Sequence, residues 1–391
     1  MITILAIIFV LGILVFVHEL GHFFAARSVG VRVERFSLGY PPRLATFTPT
    51  EEGWIFQLFF YRKNEVGKWE WGPVLKKTLS RIPRKATETE YSIALVPLGG
   101  YVKMAGTIDE SLEDEITGAP DELSSKNRLQ QGWVMSAGVM MNLILAVLIY
   151  AAVSWGEGVM TPVDEEPIVG TLSEGLPADN IGIQAGDKIV SIGSEDIHTW
   201  EQMTSLIHAS PRDTLLISWL RNETLFTASV VPIGVKDVCD CQVMELGFIG
   251  IAPVTVEKEI GLIEAISMGL SITGKNVSKI YNSVCALVTG NAPFSDLGGP
   301  ILIAQMAGKS ARAGFLSLLL FTAFISINLA FVNILPIPGL DGGHLLLVLL
   351  EGLVRRKFSV KVRIRIQQIG MAFLLLLILS VIYNDIARIL N

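Results

Sequence analysis

Four stretches, residues 2–26, 133–155, 313–334 and 368–390, are so apolar and so long that they dominate what this chain can fold into. A helix rising 1.5 Å per residue needs about 20 mostly apolar residues to cross a bilayer core, and each stretch supplies them. Only 17% of the 391 residues are charged, well below the proportion usual in soluble domains. That excludes an ordinary soluble enzyme, and the high apolar content excludes a disordered chain. The net charge is −6 with no basic cluster, so no nucleic-acid partner is expected. The first stretch lacks the basic flank and short apolar run of an export signal. It also carries His18, Glu19 and His22, which no such signal needs. The expected fold is a polytopic α-helical membrane protein with four transmembrane helices.

Lysine and arginine set the expected direction of the spans. Residues 27–130 hold 15 of them, and the short connection 335–366 holds 6, including Arg355, Arg356 and Lys357. Residues 156–311 hold only 8, against 19 acidic residues. The first and third connections are therefore expected in the cytoplasm, and the second outside together with both termini.

Ionisable groups inside a span are costly and mark function. His18-Glu19-Leu20-Gly21-His22 is an H-E-x-x-H pattern. On a helix, positions i and i+4 share one face. Both imidazoles can therefore reach one metal ion, with Glu19 placed to activate a water. Zinc needs a third protein ligand and an open position. The longer H-E-x-x-H-x-x-G-x-x-H pattern is absent, since Ala25 and Ser28 stand in its Gly and His places. Glu34 lies past the membrane exit, between Arg32 and Arg35. Asp341 is the better candidate, in Asn333-Ile334-Leu335-Pro336-Ile337-Pro338-Gly339-Leu340-Asp341-Gly342-Gly343, where prolines break the helix. Topology supports it, because the first and third spans both run inward. His344 is the alternative ligand. Asn333, and less strongly Asn328, could hold a substrate strand or an oxyanion.

The connections carry further signals. Residues 91–96 read as a β-strand, Pro97-Leu98-Gly99-Gly100 as a turn and Tyr101–Met104 as a return strand, an apolar hairpin whose free edge could pair with a peptide. Residues 48–88 hold three tryptophans and many basic residues, which suggests contact with the lipid interface. Residues 260–289 read as an interfacial amphipathic helix. Cys239 and Cys241 stand two apart, too close for an unstrained bridge, so these two and Cys285 are expected as unbridged thiols.

Residues 160–232 alternate as short strands, with Arg221-Asn222-Glu223 as a turn. With Gly175-Leu176-Pro177-Ala178 and Ala185-Gly186-Asp187-Lys188-Ile189-Val190, this stretch resembles a PDZ domain of the kind found in bacterial proteases. The fold expected in full is thus four membrane helices, a membrane-associated β-hairpin and an inserted β-rich PDZ-like domain. Its expected boundaries are 1–26 (first helix), 27–132 with the hairpin at 91–104, 133–155 (second helix), 160–232 (PDZ-like), 233–312 (connector), 313–345 (third helix and the Leu-Asp-Gly segment), 346–367 (basic connection) and 368–391 (fourth helix).

Taken together, Val17–Phe23, Arg35–Gly39, Pro97–Met104, Gly299-Pro300-Ile301 and the 328–344 stretch resemble the site-2 protease family of intramembrane zinc metalloproteases, in its bacterial PDZ-containing branch. The resemblance implies Zn²⁺ held by His18, His22 and Asp341, with Glu19 as catalytic base and Asn333 handling substrate. It implies that Leu98, Gly99, Gly100, Tyr101, Val102, Lys103 and Met104 belong to a membrane-reentrant β-hairpin that pairs with unwound substrate. The implied substrates are transmembrane segments of single-span proteins already trimmed outside the membrane, such as anti-sigma factors and signal-peptide remnants. The PDZ part would exclude untrimmed chains or contact a peptide or chain end, and the location would be a bacterial cytoplasmic membrane. Two departures from the family pattern stand out: Tyr40-Pro41-Pro42 replaces its usual Gly-x-Gly-Pro turn, and Val139 stands where a proline is common before the second span's asparagine, here Asn142. A transporter with broken helices and an inactive PDZ scaffold are the competing readings.

Overall fold

The computed structural model of the protein describes residues 1–50, 53–63, 67–79, 89–107, 117–163 and 166–390, without the side chains of Pro97 and Leu98. The chain divides into two compact units, residues 1–150 with 297–391, and residues 151–296.

The first unit opens on α1 (Ile2–Ser28). It contains no proline, so every backbone group can bond within the helix, as a lipid environment demands. Next come β1 (Val33–Thr50), β2 (Gly53–Lys63), β3 (Trp69–Leu79) and β4 (Glu90–Met104), in the order β3-β2-β1-β4. The expected hairpin between residues 91–96 and 101–104 is corrected here. Both arms of β4 pair with β1, so that Arg35 stands opposite Lys103 and Glu90, and Ser37 opposite Tyr101 and Ser92. The reason lies in β1: Val33, Phe36 and Ser37 are buried, as befits a strand flanked on both sides. The strands β2 and β3 extend the same sheet as an antiparallel pair, with Phe56 opposite Phe47 and Tyr61 opposite Trp71. The helix α2 (Arg128–Glu157) follows. Phe23, Ala26, Val33, Phe36, Val102, Met104 and Val134 form one core in which α1, α2 and the sheet meet.

The second unit holds β5 (Val159–Pro162), β6 (Val169–Leu172), α3 (Pro177–Asn180), β7 (Lys188–Ile192), β8 (Glu195–Asp196), α4 (Trp200–His208), β9 (Leu215–Arg221) and β10 (Thr224–Val230). The alternating segments pair as read, with Leu220 opposite Leu225 across a turn in which Asn222 and Glu223 take positive φ. In the sheet β10-β9-β7-β8, Ile189 and Ile217 are fully buried, together with Met203 of α4. Chain beyond residue 232 returns to this core. After the hairpin of β11 (Ile233–Cys239) and β12 (Gln242–Phe248), Ile249 is buried in it, and β13 (Ile251–Pro253) pairs with β6. Then β14 (Thr255–Lys258) pairs with β5, and α5 (Leu262–Val288) closes the unit. Cys241 and Cys285 form a disulfide and Cys239 is free. The expectation of three unbridged thiols is therefore corrected: the helix brings to the hairpin a partner 44 residues away in sequence, which spacing could not show. On α5, Ile263, Ile266, Leu270, Tyr281 and Val288 stay exposed while Ala265, Gly269 and Ala286 are buried.

The chain then returns to the first unit with α6 (Pro300–Ala313), α7 (Phe315–Ile334), α8 (Asp341–Val354) and α9 (Val360–Leu390). Ala307 of α6 packs with Ala6, Val10 and Leu14 of α1 and with Phe321 of α7. The start of α6 is held by Asp385 of α9, whose buried carboxylate accepts the backbone N–H groups of Gly299, Ile301 and Leu302 at 3.0–3.1 Å. Part of the expected connection 346–367 is helical, because α8 continues to Val354. Among the described residues, four helices, α1, α2, α7 and α9, are long and apolar enough to cross a membrane.

Candidate metal centre and active site

His18 and His22 lie one turn apart on the buried face of α1. Nδ1–H of His22 donates to the Val134 carbonyl of α2 at 2.8 Å. A carbonyl only accepts, so the proton of the neutral ring is on Nδ1 and its Nε2 is a bare acceptor. Asp341 arrives from the far end of the chain. After α7 ends at Ile334, the segment containing Pro336 and Pro338 cannot continue the helix, and Asp341 opens α8. A side chain at Gly342 would strike the Ile334 and Leu335 carbonyls, so the close return of the chain requires glycine there.

These pieces converge on one point. Asp341 Oδ2 lies 3.0 Å from Nε2 of His18 and 3.3 Å from Nε2 of His22, and the two imidazole nitrogens are 3.2 Å apart. Oδ2 is buried with no hydrogen-bond donor among the described residues. With Nε2 of His18 bare as well, three lone pairs point at one another and repel unless a cation lies between them. Ligand atoms about 2 Å from a tetrahedral zinc are separated by about 3.3 Å, which is the spacing here. The donor set therefore fits zinc. Gly138 of α2 backs the cluster, since a Cβ there would collide with both imidazoles.

Glu19 sits beside the cluster, facing the backbone N–H of Val102. A cavity of 310 Å³ is lined by His18, Glu19, His22 and Asp341, by Gly100, Tyr101, Val102 and Met104 of β4, and by Gln131, Glu351 and Arg363. His344 lines it without joining the three-residue cluster. Asn333 is brought in, with its side-chain amide 3.4 Å from Nε2 of His18. Asn328 is not: its amide donates to the Phe324 carbonyl of its own helix at 2.8 Å. Gly99 lies against the Tyr40 ring, Lys103 pairs with Glu34 at 3.4 Å, and the Leu98 side chain falls outside the described residues.

Sequence reasoning missed the Val134 carbonyl and Gly138 on the α2 side of the site, and it matched Asn142 to the family pattern without giving it a role; the Asn142 amide lies 3.2 Å from Nδ1 of His18. One signal was present, a polar Asn142 inside an apolar span. Nothing in the sequence marked Val134 or Gly138.

The profile of peptidase family M50 matches residues 6–64 and 74–377. A protein of Clostridium acetobutylicum named as a zinc metalloprotease is 32% identical, over 97% of this chain and 96% of its own. The regulator of sigma-W protease RasP of Bacillus subtilis is 28% identical, over 99% of this chain and 98% of its own. Among solved structures, the PDZ domain of an SdrC-like protein from Listeria monocytogenes aligns at 19% identity and a TM-score of 0.19, covering 24% of this chain and 93% of that one.

Proposed function

The chain belongs to peptidase family M50, the site-2 proteases, and is a zinc metalloendopeptidase of the membrane; from that premise we propose that it cleaves transmembrane segments of single-span proteins after their extracytoplasmic part has been trimmed. The observation that carries the reading is the meeting of His18, His22 and Asp341 at zinc-ligand spacing beside Glu19, inside an apolar helix. A transporter or an inert scaffold has no use for that arrangement.

His18, His22 and Asp341 hold the metal. Zinc, when bound, supplies Lewis-acid polarisation of the scissile carbonyl and makes a water easier to deprotonate. Glu19 accepts a proton from the attacking water and delivers it to the leaving nitrogen. The Asn333 amide is placed to donate to the oxygen of the tetrahedral intermediate or to the substrate backbone. A helical carbonyl is already hydrogen-bonded, so substrate must unwind before attack. The Gly100–Met104 arm of β4 lines the cavity and can pair with the released strand, which offsets the lost helical bonds. The β-rich unit, PDZ-like in sequence, contacts a peptide or chain end or screens out untrimmed chains. The apolar stripe of α5 lies against lipid. The protein resides in a bacterial cytoplasmic membrane, with residues 156–311 outside and the Arg355–Lys357 connection inside. Anti-sigma factors and signal-peptide remnants are the substrate types in view, in keeping with the role named for RasP.

The test is cleavage of a single-span substrate by purified protein. Glu19→Gln should lower the rate at least about 100-fold while zinc content stays at the wild-type level. Undiminished cleavage by that variant removes Glu19 from its role.

A further inference from the structure

His18 offers one ring nitrogen to the metal cluster, and the other must be accounted for. Its Nδ1 faces the side-chain amide of Asn142 at 3.2 Å. Asn142 has no exposed surface, and its backbone carbonyl accepts the Ser326 hydroxyl of α7 at 2.7 Å, so the residue is fixed from two helices. The oxygen and nitrogen of an amide exchange places by a half-turn, and the surrounding hydrogen bonds decide between them. With the amino group toward the ring, Nδ1 must accept, and the proton of the neutral ring sits on Nε2. That N–H then points into the cluster, where the atom cannot ligate. With Oδ1 toward the ring, Nδ1–H donates to it and Nε2 is bare.

Either orientation leaves one buried atom of the amide without a partner among the described residues, Oδ1 in the first case. The ring decides the matter, on two observations. His22, one turn away, already gives its Nδ1 proton to α2, through the Val134 carbonyl two turns before Asn142. Nε2 of His18 lies 3.0 Å from Oδ2 of Asp341 and 3.2 Å from Nε2 of His22, the ligand-to-ligand spacing of one shared zinc, so a ligating Nε2 is bare and the ring proton sits on Nδ1. Ligating histidines generally donate their other N–H to an acceptor, which fixes tautomer and ring plane.

We propose that Asn142 is a positioning residue whose Oδ1 accepts Nδ1–H of His18 and thereby holds that ring in its metal-binding tautomer. On α2, a side chain and a main-chain carbonyl thus do the same work for the two rings. The inference rests on the zinc reading above. It is tested without reference to turnover, on purified full-length protein, by zinc competition against a fluorescent chelator and by the absorption spectrum of the cobalt-loaded protein. Asn142→Leu, which removes the acceptor at similar volume, should weaken zinc binding about 10- to 100-fold. Asn142→Asp, which can accept but not donate, should bind zinc within a few-fold of wild type and keep the tetrahedral cobalt spectrum. Should the leucine variant fold poorly, the aspartate variant still decides. If the true contact is an amino group donating to the ring, Asn142→Asp loses affinity and the proposal falls. Wild-type affinity in a well-folded Asn142→Leu protein also overturns it, whereas a wild type that binds no zinc overturns the site reading itself.

Discussion

Gly138 shows how a residue with no functional group can govern a metal site. It lies on α2 directly behind His18 and His22, and a methyl group there would occupy the space of both rings. The rings cannot yield easily, because His22 is tied to Val134 and the face they occupy is buried. Gly138→Ala should therefore reduce zinc retention after dialysis against a chelator by at least about 10-fold, the scale seen when ligand orientation is disturbed. Gly12, on the same helix as the histidines but with open space around it, serves as the control position, and alanine there should leave zinc retention unchanged. The histidines and Glu19 were legible from sequence, because polar residues in an apolar span stand out and a four-residue spacing is a local property. The α2 wall was not legible, since its importance depends on which turn of α2 crosses α1. Asn328 is a contrasting case, a polar residue in a span whose amide is used within its own helix.

At the scale of elements, the four long helices could be read from hydropathy, whereas the sheet register could not. Alternation identified residues 91–96 and 101–104 as strands, but the choice of partner belongs to β1, which takes both arms. The Cys241–Cys285 bridge was hidden for a related reason, since it depends on where α5 docks on a hairpin. The capping of α6 by Asp385 is another long-range device. Three N–H groups at the start of α6 have no partner within their own helix and are satisfied by one carboxylate from α9. Asp385→Ala leaves those groups unpaired and should destabilise the protein by about 1–3 kcal/mol, read as a lower melting temperature in detergent. Asp385→Asn, which keeps an acceptor, should lose less. Equal melting of alanine variant and wild type would show that the cap contributes nothing.

For the molecule as a whole, charge bias and the disulfide point to the same topology. Sparse lysine and arginine argue for residues 156–311 outside the cytoplasm, and disulfides persist in oxidising compartments. Cys239 is free and exposed in that unit, while Cys241 and Cys285 are bridged. A membrane-impermeant maleimide applied to intact cells should therefore modify one cysteine per chain without reductant and three after reduction and unfolding. Protection of Cys239 until the cells are lysed would reverse the assigned orientation. The β4 arm beside Glu19 has a consequence for the choice of substrate. Pairing of an unwound substrate with that arm, as proposed above, would engage amide and carbonyl groups, which every polypeptide shares, and would be nearly indifferent to side-chain identity. Selection would then come from how readily a candidate segment gives up its helical form, and a stiffened sequence would escape the enzyme whatever residues flank its cut.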